Sequence, residues 1–203
     1  MIYKFGYLVF LIYLKIFFRR KVYGRSNLPG RKAFIVCSNH ICWRDPTAVG
    51  TALPIDYKIH FMAKNDLFKN ALFSYLLKKA GAFPVNRNEA DFGAIKKAYQ
   101  LLKEGKIVGM FPEGTRSIDG LMHKAYGGAA LIAVRSGVPV LPVAIAGPYR
   151  LFKPLRIYIG PPFVLPPLVY NNKFEKKKQL EELSAEIMDH IKRLVPEDAQ
   201  FYH

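Results

Sequence analysis

AFIVCSNHICWRDPTAVGTAL, residues 33–53, is the stretch from which the fold is predicted. Residues 33–38 form a short apolar run without interruption, which is typical of a strand buried inside a sheet. A polar loop follows, and Asp45 before Pro46 is typical of a helix N-cap followed by proline at the first helical position. A short helix is therefore predicted over residues 46–53, so the stretch has the strand-to-helix order of α/β proteins.

The same alternation continues towards the carboxyl terminus. Strands are predicted at residues 59–63, 82–85, 106–111, 139–146 and 155–159, with helices at 66–80, 90–104 and 129–136. The proline-rich residues 161–167 mark the end of the sheet, and residues 174–194 have the pattern of a charged amphipathic helix. We predict a single α/β domain with helices packed on a mixed, largely parallel sheet.

The amino terminus has a different composition. Residues 1–21 are apolar and aromatic, but Lys4 and Lys15 leave only ten residues between them free of charge. A spanning helix needs about 20 apolar residues, and no small-residue cleavage site follows, so we expect a retained helix lying in the headgroup zone of a membrane. The alternative is a helix packed on the core of the domain. Three segments are thus predicted: an interfacial helix at 1–22, the main domain at 23–167, and a carboxyl-terminal helix packed on it at 168–203.

The charge of the chain indicates an anionic partner. Lys and Arg number 31 against 15 Asp and Glu, a formal net charge of +16, while 51% of residues are hydrophobic. Nucleic acid, acidic lipid and a phosphorylated substrate all satisfy this charge. Aromatic residues are concentrated in the amino end and the strands instead of alternating with basic residues on one face, which argues against nucleic acid. Cys37 and Cys42 suit neither a disulfide framework nor a zinc motif, and favour a cytoplasmic setting.

The strongest candidate for a catalytic site is the loop NHICWRDP, residues 39–46. His40 and Asp45 would lie about 140° apart on a helix, so only a turn can bring them together. A carboxylate beside a histidine fixes its tautomer and leaves the other ring nitrogen free to take a proton from an alcohol. The residues alone also allow the alternative that Asp45 only caps its helix. Cys42 as a nucleophile is less favoured because a thiol between the paired residues is poorly placed. Metal binding by His40, Asp45, His60 or His123 is less favoured because their spacing matches no familiar metal motif.

Two further segments place arginines at strand ends. In FPEGTRS, residues 111–117, Gly114 permits close approach of the backbone to a ligand and Arg116 offers donors suited to phosphate. In GAFPVNR, residues 81–87, Arg87 ends another strand, so the two arginines could share one phosphate. The alternatives are an ordinary turn with Glu113 and Arg116 as a solvated pair, and Arg87 as a surface residue.

Taken in order, these segments resemble the four motifs of the glycerolipid acyltransferase family. The resemblance covers roughly residues 23–161 and rests on Asn39-His40 with Asp45, Phe83-Pro84 with Arg87, the segment at 111–116 and the strand at 138–143. It implies that His40 is a general base and that Asp45 orients it. It also implies that the acceptor's phosphate and glycerol are held by Arg87, Glu113, Gly114, Thr115 and Arg116.

The resemblance further implies direct transfer of a fatty acyl group from acyl-coenzyme A or acyl carrier protein to lysophosphatidic acid. Glycerol 3-phosphate and lysophospholipids are alternative acceptors, and no metal or resident cofactor is expected. Such an enzyme would work at an anionic membrane surface on the cytoplasmic face, as a peripheral or monotopic protein. One departure is that many relatives carry lysine where this chain has Tyr126, and Lys124 lies nearby as a substitute.

Overall fold

Helices and strands alternate through the chain as the sequence predicts. The computed structural model describes residues 2–30, 32–86, 91–117 and 122–196. The strands in chain order are β1 Lys21–Tyr23, β2 Ile35–Ser38, β3 Ile59–Lys64, β4 Phe83–Val85, β5 Ile107–Met110, β6 Val140–Ala146 and β7 Arg156–Ile159. The helices are α1 Ile2–Phe17, α2 Asp45–Ala52, α3 Ala71–Ala80, α4 Phe92–Lys103, α5 Gly128–Ser136 and α6 Lys173–Lys192.

The strands form one seven-stranded sheet in the order β1-β7-β6-β2-β5-β3-β4. Every neighbouring pair is parallel except β6 and β7, which run antiparallel. The predicted mixed, largely parallel sheet is confirmed. Because β2, β5 and β6 run in the same direction, the loops that follow them open at one edge of the sheet, where α/β proteins place their sites.

Two apolar cores cover the two faces of the sheet. Ile35 and Cys37 of β2 point into one core with α4, α5 and α6, whereas Phe34 and Val36 point into the other with α1 and α2. All four residues of β2 are buried, as are all seven of β6. This explains the uninterrupted apolar runs, since a strand covered on both faces has no polar side to alternate with.

The amino-terminal helix is shorter than the segment 1–22. α1 ends at Phe17, Arg19 adopts a left-handed conformation with φ of 42°, and residues 21–23 join β7 as the edge strand β1. A strand of three residues shows too little alternation to be recognised in a basic stretch. Across the described residues, no helix combines the length and the apolar character that crossing a membrane would take.

The helix predicted at 66–80 is divided in the structure. Residues Asn65–Phe68 form a 3-10 turn, and α3 begins only at Ala71. Asn70 ends the first piece because its side-chain oxygen accepts from the amide of Phe73 at 3.0 Å, which caps α3. The other predicted elements differ from the observed ones by one or two residues at their ends, and the start predicted for α4 at Ala90 lies outside the described residues.

Candidate active site

His40 and Asp45 form a buried pair in the loop between β2 and α2. The Nδ1 atom of His40 lies 2.8 Å from Oδ2 of Asp45, and the two residues are 6% and 0% exposed. The turn expected to join them is therefore present. When Oδ2 of Asp45 accepts a hydrogen bond from the protonated Nδ1, the neutral ring carries its lone pair on Nε2, the nitrogen that can accept a proton.

The Asp45 carboxylate turns back onto the loop and does not cap the helix that follows. Its Oδ2 atom accepts from the amides of Ile41 at 2.6 Å and Cys42 at 2.7 Å. α2 starts at Asp45, and the preceding Arg44 makes no side-chain cap. The expectation that Asp45 is the N-cap is wrong, because the loop amides and the His40 ring take the oxygen that amides of the first helical turn would otherwise bind.

Two aromatic rings set the orientation of the histidine. Phe111 stacks on the His40 ring with centroids 4.1 Å apart and planes 18° apart. Phe61 stacks in turn on Phe111 at 5.7 Å. With Asp45 on its edge and Phe111 on its face, the imidazole has little freedom to rotate, which is the preorganisation that a catalytic base needs.

The buried side chain of Glu113 connects the loop after β5 to the loop after β2. It is only 3% exposed; its Oε1 accepts from the amide of His40 at 3.0 Å and its Oε2 from the amide of His123 at 3.0 Å. Oε2 also accepts from the Ser117 hydroxyl, and the Ser117 amide donates to the carbonyl oxygen of His40 at 2.8 Å. The alternative of Glu113 as a solvated turn residue is wrong, because both oxygens have protein donors. Its role towards substrate stays a prediction.

Gly114, Thr115 and Arg116 lie at the outer rim of the same edge, in the loop that follows β5. Gly114 has φ of 68°, and a Cβ there would lie 3.0 Å from the ring of Tyr126. The backbone conformation and the Tyr126 ring therefore both require glycine at position 114, independently of any ligand. Thr115 and Arg116 are exposed beside it. Arg87 lies outside the described residues, so its convergence with Arg116 stays a prediction.

Lys124 is committed elsewhere in the structure. Its Nζ atom pairs with Oε2 of Glu181 on α6 at 2.9 Å, with 76% of the lysine side chain exposed. Tyr126 is exposed, and its amide donates to the carbonyl oxygen of Pro112 at 2.9 Å. The tyrosine, and not Lys124, therefore borders the Gly114 turn.

The surroundings of Cys42 and of the candidate metal ligands are as follows. The Cys42 sulfur lies 3.6 Å from Nη1 of Arg44, and its amide is used by Asp45. Within the described part of the chain, no three His, Cys, Asp or Glu side chains cluster as a metal site would require.

The first sequence motif includes Asn39 without indicating its partner, and no sequence motif includes Tyr149. The Asn39 side chain, which is fully buried, exchanges two hydrogen bonds with the backbone of Ile145 in β6, at 2.8 and 3.0 Å. Tyr149, beyond the end of β6, donates its hydroxyl to Oδ1 of Asp45 at 2.6 Å. Burial, followed by the Asp45 charge, raises the pKa of Tyr149 well above its usual value. No local pattern marks Tyr149, because it meets Asp45 only through the tertiary fold.

A family model described as acyltransferase matches residues 19–146, which include the His40 and Asp45 pair and the loop around Glu113. The chain belongs to the acyltransferase family. It is therefore an enzyme, and the resemblance found in its motifs is confirmed.

The chain is similar to several named acyltransferases. The 1-acyl-sn-glycerol-3-phosphate acyltransferase of Bacillus subtilis is 40% identical over 147 residues, covering 70% of this chain and 72% of that protein. The protein of the same name from Streptococcus pneumoniae is 36% identical over 119 residues, 58% of this chain and 43% of that protein. The crystal structure of the 1-acyl-sn-glycerophosphate acyltransferase PlsC from Thermotoga maritima superposes with a TM-score of 0.65 and 29% identity, over 93% of this chain and 77% of that one.

Proposed function

We propose that this acyltransferase transfers a fatty acyl group from a thioester to the sn-2 hydroxyl of 1-acylglycerol 3-phosphate, lysophosphatidic acid, and so makes phosphatidic acid. The observation that carries the proposal is the buried His40 and Asp45 pair at 2.8 Å, in a chain 40% identical to an enzyme named for this reaction. The fold agreement with PlsC of Thermotoga maritima supports the same conclusion.

The geometry supports a direct transfer with His40 as general base. Nε2 of His40 takes the proton of the acceptor hydroxyl, while Asp45 on Nδ1 stabilises the charged ring that results. The hydroxyl oxygen attacks the thioester carbonyl, the carbon–sulfur bond breaks, and the thiolate takes the proton back from the ring. The products are an ester and a free thiol. The thioester already supplies an activated carbonyl, so we propose that no resident metal or cofactor takes part and that coenzyme A or acyl carrier protein enters only as donor.

The rim loop supports recognition of the acceptor's phosphate. Arg116 is exposed in the loop after β5, and His40 lies in the loop after the neighbouring strand β2. The guanidinium of Arg116 has a planar set of donors suited to phosphate. We propose that Arg116, Thr115 and the Gly114 backbone hold the phosphate and glycerol, joined by Arg87. Holding the phosphate fixes the sn-2 hydroxyl in line with His40. We propose that Glu113 aids this by keeping the two loops together.

The outer face of α1 supports binding to an anionic membrane surface. Phe5 is 70% exposed, and four other apolar residues share this face at helical spacing: Leu8, Val9, Ile12 and Ile16. α3 lies beside α1 and also exposes apolar side chains, among them Leu72 and Phe73. Within residues 1–22, we propose that the exposed face of α1 rests on the cytoplasmic face of the membrane, whereas Lys21 and Val22 belong to the edge strand β1. The domain at 23–167, with 168–203 packed on it, would then take its substrate from the lipid layer.

Incubation of the purified protein with lysophosphatidic acid and each acyl donor tests the proposed activity. Phosphatidic acid, detected by mass spectrometry, is the expected product. Glycerol 3-phosphate and lysophospholipids serve as competing acceptors in the same assay. Folded protein that makes no phosphatidic acid with either thioester, or that prefers another acceptor, would overturn the proposal.

Membrane binding is tested with vesicles that contain anionic lipid. The double variant Phe5→Ser/Ile12→Ser removes two exposed apolar side chains from α1, so its partition should fall by about tenfold or more. The control Phe92→Ser/Phe174→Ser removes two side chains that are 76% and 77% exposed on α4 and α6. Equal binding of the two variants would contradict a role for α1.

A further inference from the structure

The Asp45 carboxylate has two oxygens with different partners. Oδ2 receives three donors from its own loop: the His40 ring and the amides of Ile41 and Cys42. Oδ1 receives the hydroxyl of Tyr149, from beyond β6, at 2.6 Å. The local loop therefore fixes one oxygen, and a distant part of the chain fixes the other.

Tyr149 is itself held by aromatic contacts with the residues that follow α1. Its ring packs edge-on against Phe18 with centroids 5.7 Å apart, and Phe18 is buried. The guanidinium of Arg44 lies 5.6 Å from the Phe18 ring and 6.0 Å from the Tyr149 ring, and its Nε donates to the Tyr13 hydroxyl of α1 at 3.2 Å. The pKa of Tyr149 is raised well above its usual value, by burial first and then by Asp45, so its hydroxyl stays a donor over the working pH range.

We propose that Tyr149 is a positioning residue for acyl transfer, acting on the histidine through Asp45. Its hydrogen bond stops the carboxyl group from rotating about its bond to Cβ, and so keeps Oδ2 directed at Nδ1 of His40. It also withdraws negative charge from the carboxylate, which limits how strongly Asp45 stabilises the protonated ring. The inference rests on the proposed function, because the role of Tyr149 is defined by the base that it helps to position.

Several charged or titratable groups lie around the His40 and Asp45 pair. Arg44 and Cys42 come from the same loop, Glu113 approaches from the loop after β5 through the His40 amide, and Tyr13 of α1 lies behind Arg44. Tyr149→Phe leaves all of these in place. A change in the pH response of this variant therefore reports the lost hydroxyl.

The test compares Tyr149→Phe with the matched control Tyr57→Phe. Tyr57 also donates its hydroxyl to a protein oxygen, the carbonyl of Pro29 at 3.1 Å, and packs against Phe34 on the same face of the sheet. For Tyr149→Phe we expect kcat to fall about tenfold, with KM for lysophosphatidic acid within about twofold. The acid limb of its kcat/KM profile should move to higher pH, because a more negative Asp45 stabilises the protonated histidine. Tyr57→Phe should match the wild type in kcat, in KM for lysophosphatidic acid and in the position of the acid limb.

A titration without substrate separates this inference from the proposed function. The His40 ring protons are followed by NMR and identified by their loss in His40→Ala. Their midpoint should rise in Tyr149→Phe relative to wild type, whether or not phosphatidic acid is the product. Unchanged kcat, or a fall in kcat with both the pH profile and the ring titration unmoved, would overturn the positioning role and leave Tyr149 as a packing residue. Absence of product with a shifted titration would count against the proposed function alone.

Discussion

The His40 and Asp45 pair in the loop after β2 and the outer residues of the loop after β5 differ in burial and in their partners. In the loop after β2, His40 and Asp45 are buried, and protein groups bind Nδ1 of His40 and both carboxylate oxygens of Asp45. In the loop after β5, Thr115 and Arg116 are exposed at the rim. This difference fits the proposed function: the proposed base, His40, already has its partner before substrate arrives, whereas the residues proposed to hold the phosphate would gain their partners from the substrate. Loss of a buried residue should therefore lower kcat, and loss of a rim residue should raise KM.

The largest effect in this comparison is expected for Asp45→Asn. If the side-chain NH2 of the new asparagine donates to Nδ1, it favours the wrong tautomer of His40. The same NH2 group would also face the backbone N–H groups of Ile41 and Cys42, donor against donor. We expect kcat to fall by about a thousandfold or more, with little change in KM for lysophosphatidic acid. Steady-state kinetics measures both constants. If Asp45→Asn instead raised KM and left kcat unchanged, the buried pair would act in substrate binding and not in turnover.

Glu113→Gln should affect both stability and turnover. The carboxylate accepts from three donors, and a glutamine would turn its amide nitrogen towards at least one of them. We expect a loss of about 2–3 kcal/mol in the free energy of unfolding, measured by urea titration, and a fall in kcat of about a hundredfold. Ser117→Ala removes only one donor and serves as the graded control. Unchanged stability in Glu113→Gln would show that Glu113 does not connect the loops.

Arg116→Ala should act mainly on acceptor binding. Loss of a charged hydrogen bond to phosphate is worth about 2 kcal/mol, so KM for lysophosphatidic acid should rise about thirtyfold. The control Arg135→Ala removes an exposed arginine from the last turn of α5 and should leave KM unchanged. If Arg116→Ala instead lowers kcat at unchanged KM, the rim loop takes part in chemistry and not in holding the acceptor.

Thr115→Ala is expected to have the smallest effect. One exposed hydroxyl that exchanges water for a phosphate oxygen contributes about 0.5–1 kcal/mol, equivalent to a rise in KM of about two- to fivefold. The same acceptor titration measures it. If Thr115→Ala raised KM more than Arg116→Ala does, the Thr115 hydroxyl and not Arg116 would contribute most to binding the phosphate.

The sequence was informative where residues in one short segment determine a feature. The buried strands β2 and β6 follow from apolar runs, and the pairing of His40 with Asp45 follows from one loop. Features that depend on distant partners were not predictable. Tyr149 reaches Asp45 from 104 residues away, and β1 is recognisable as a strand only because β7 lies beside it.

Side-chain competition accounts for the remaining differences. Asp45 has the sequence context of an N-cap, but loop amides and the His40 ring bind its carboxylate first. Gly114 has the context of a ligand contact, but its positive φ and the Tyr126 ring already require glycine. In both cases the sequence indicates an important residue, but its contacts depend on neighbours that come close only in the folded chain.

The role of His40 as general base is tested most directly by comparing the rates of phosphatidic acid formation by His40→Ala and by the control His60→Gln. His60 is a partly buried histidine on β3 whose Nδ1 lies 2.9 Å from the Gly81 carbonyl oxygen, away from the motif loops. We predict a fall of about a thousandfold or more for His40→Ala with circular dichroism unchanged, and near wild-type rates for His60→Gln. A folded His40→Ala enzyme that forms phosphatidic acid at the wild-type rate would contradict His40 as the general base.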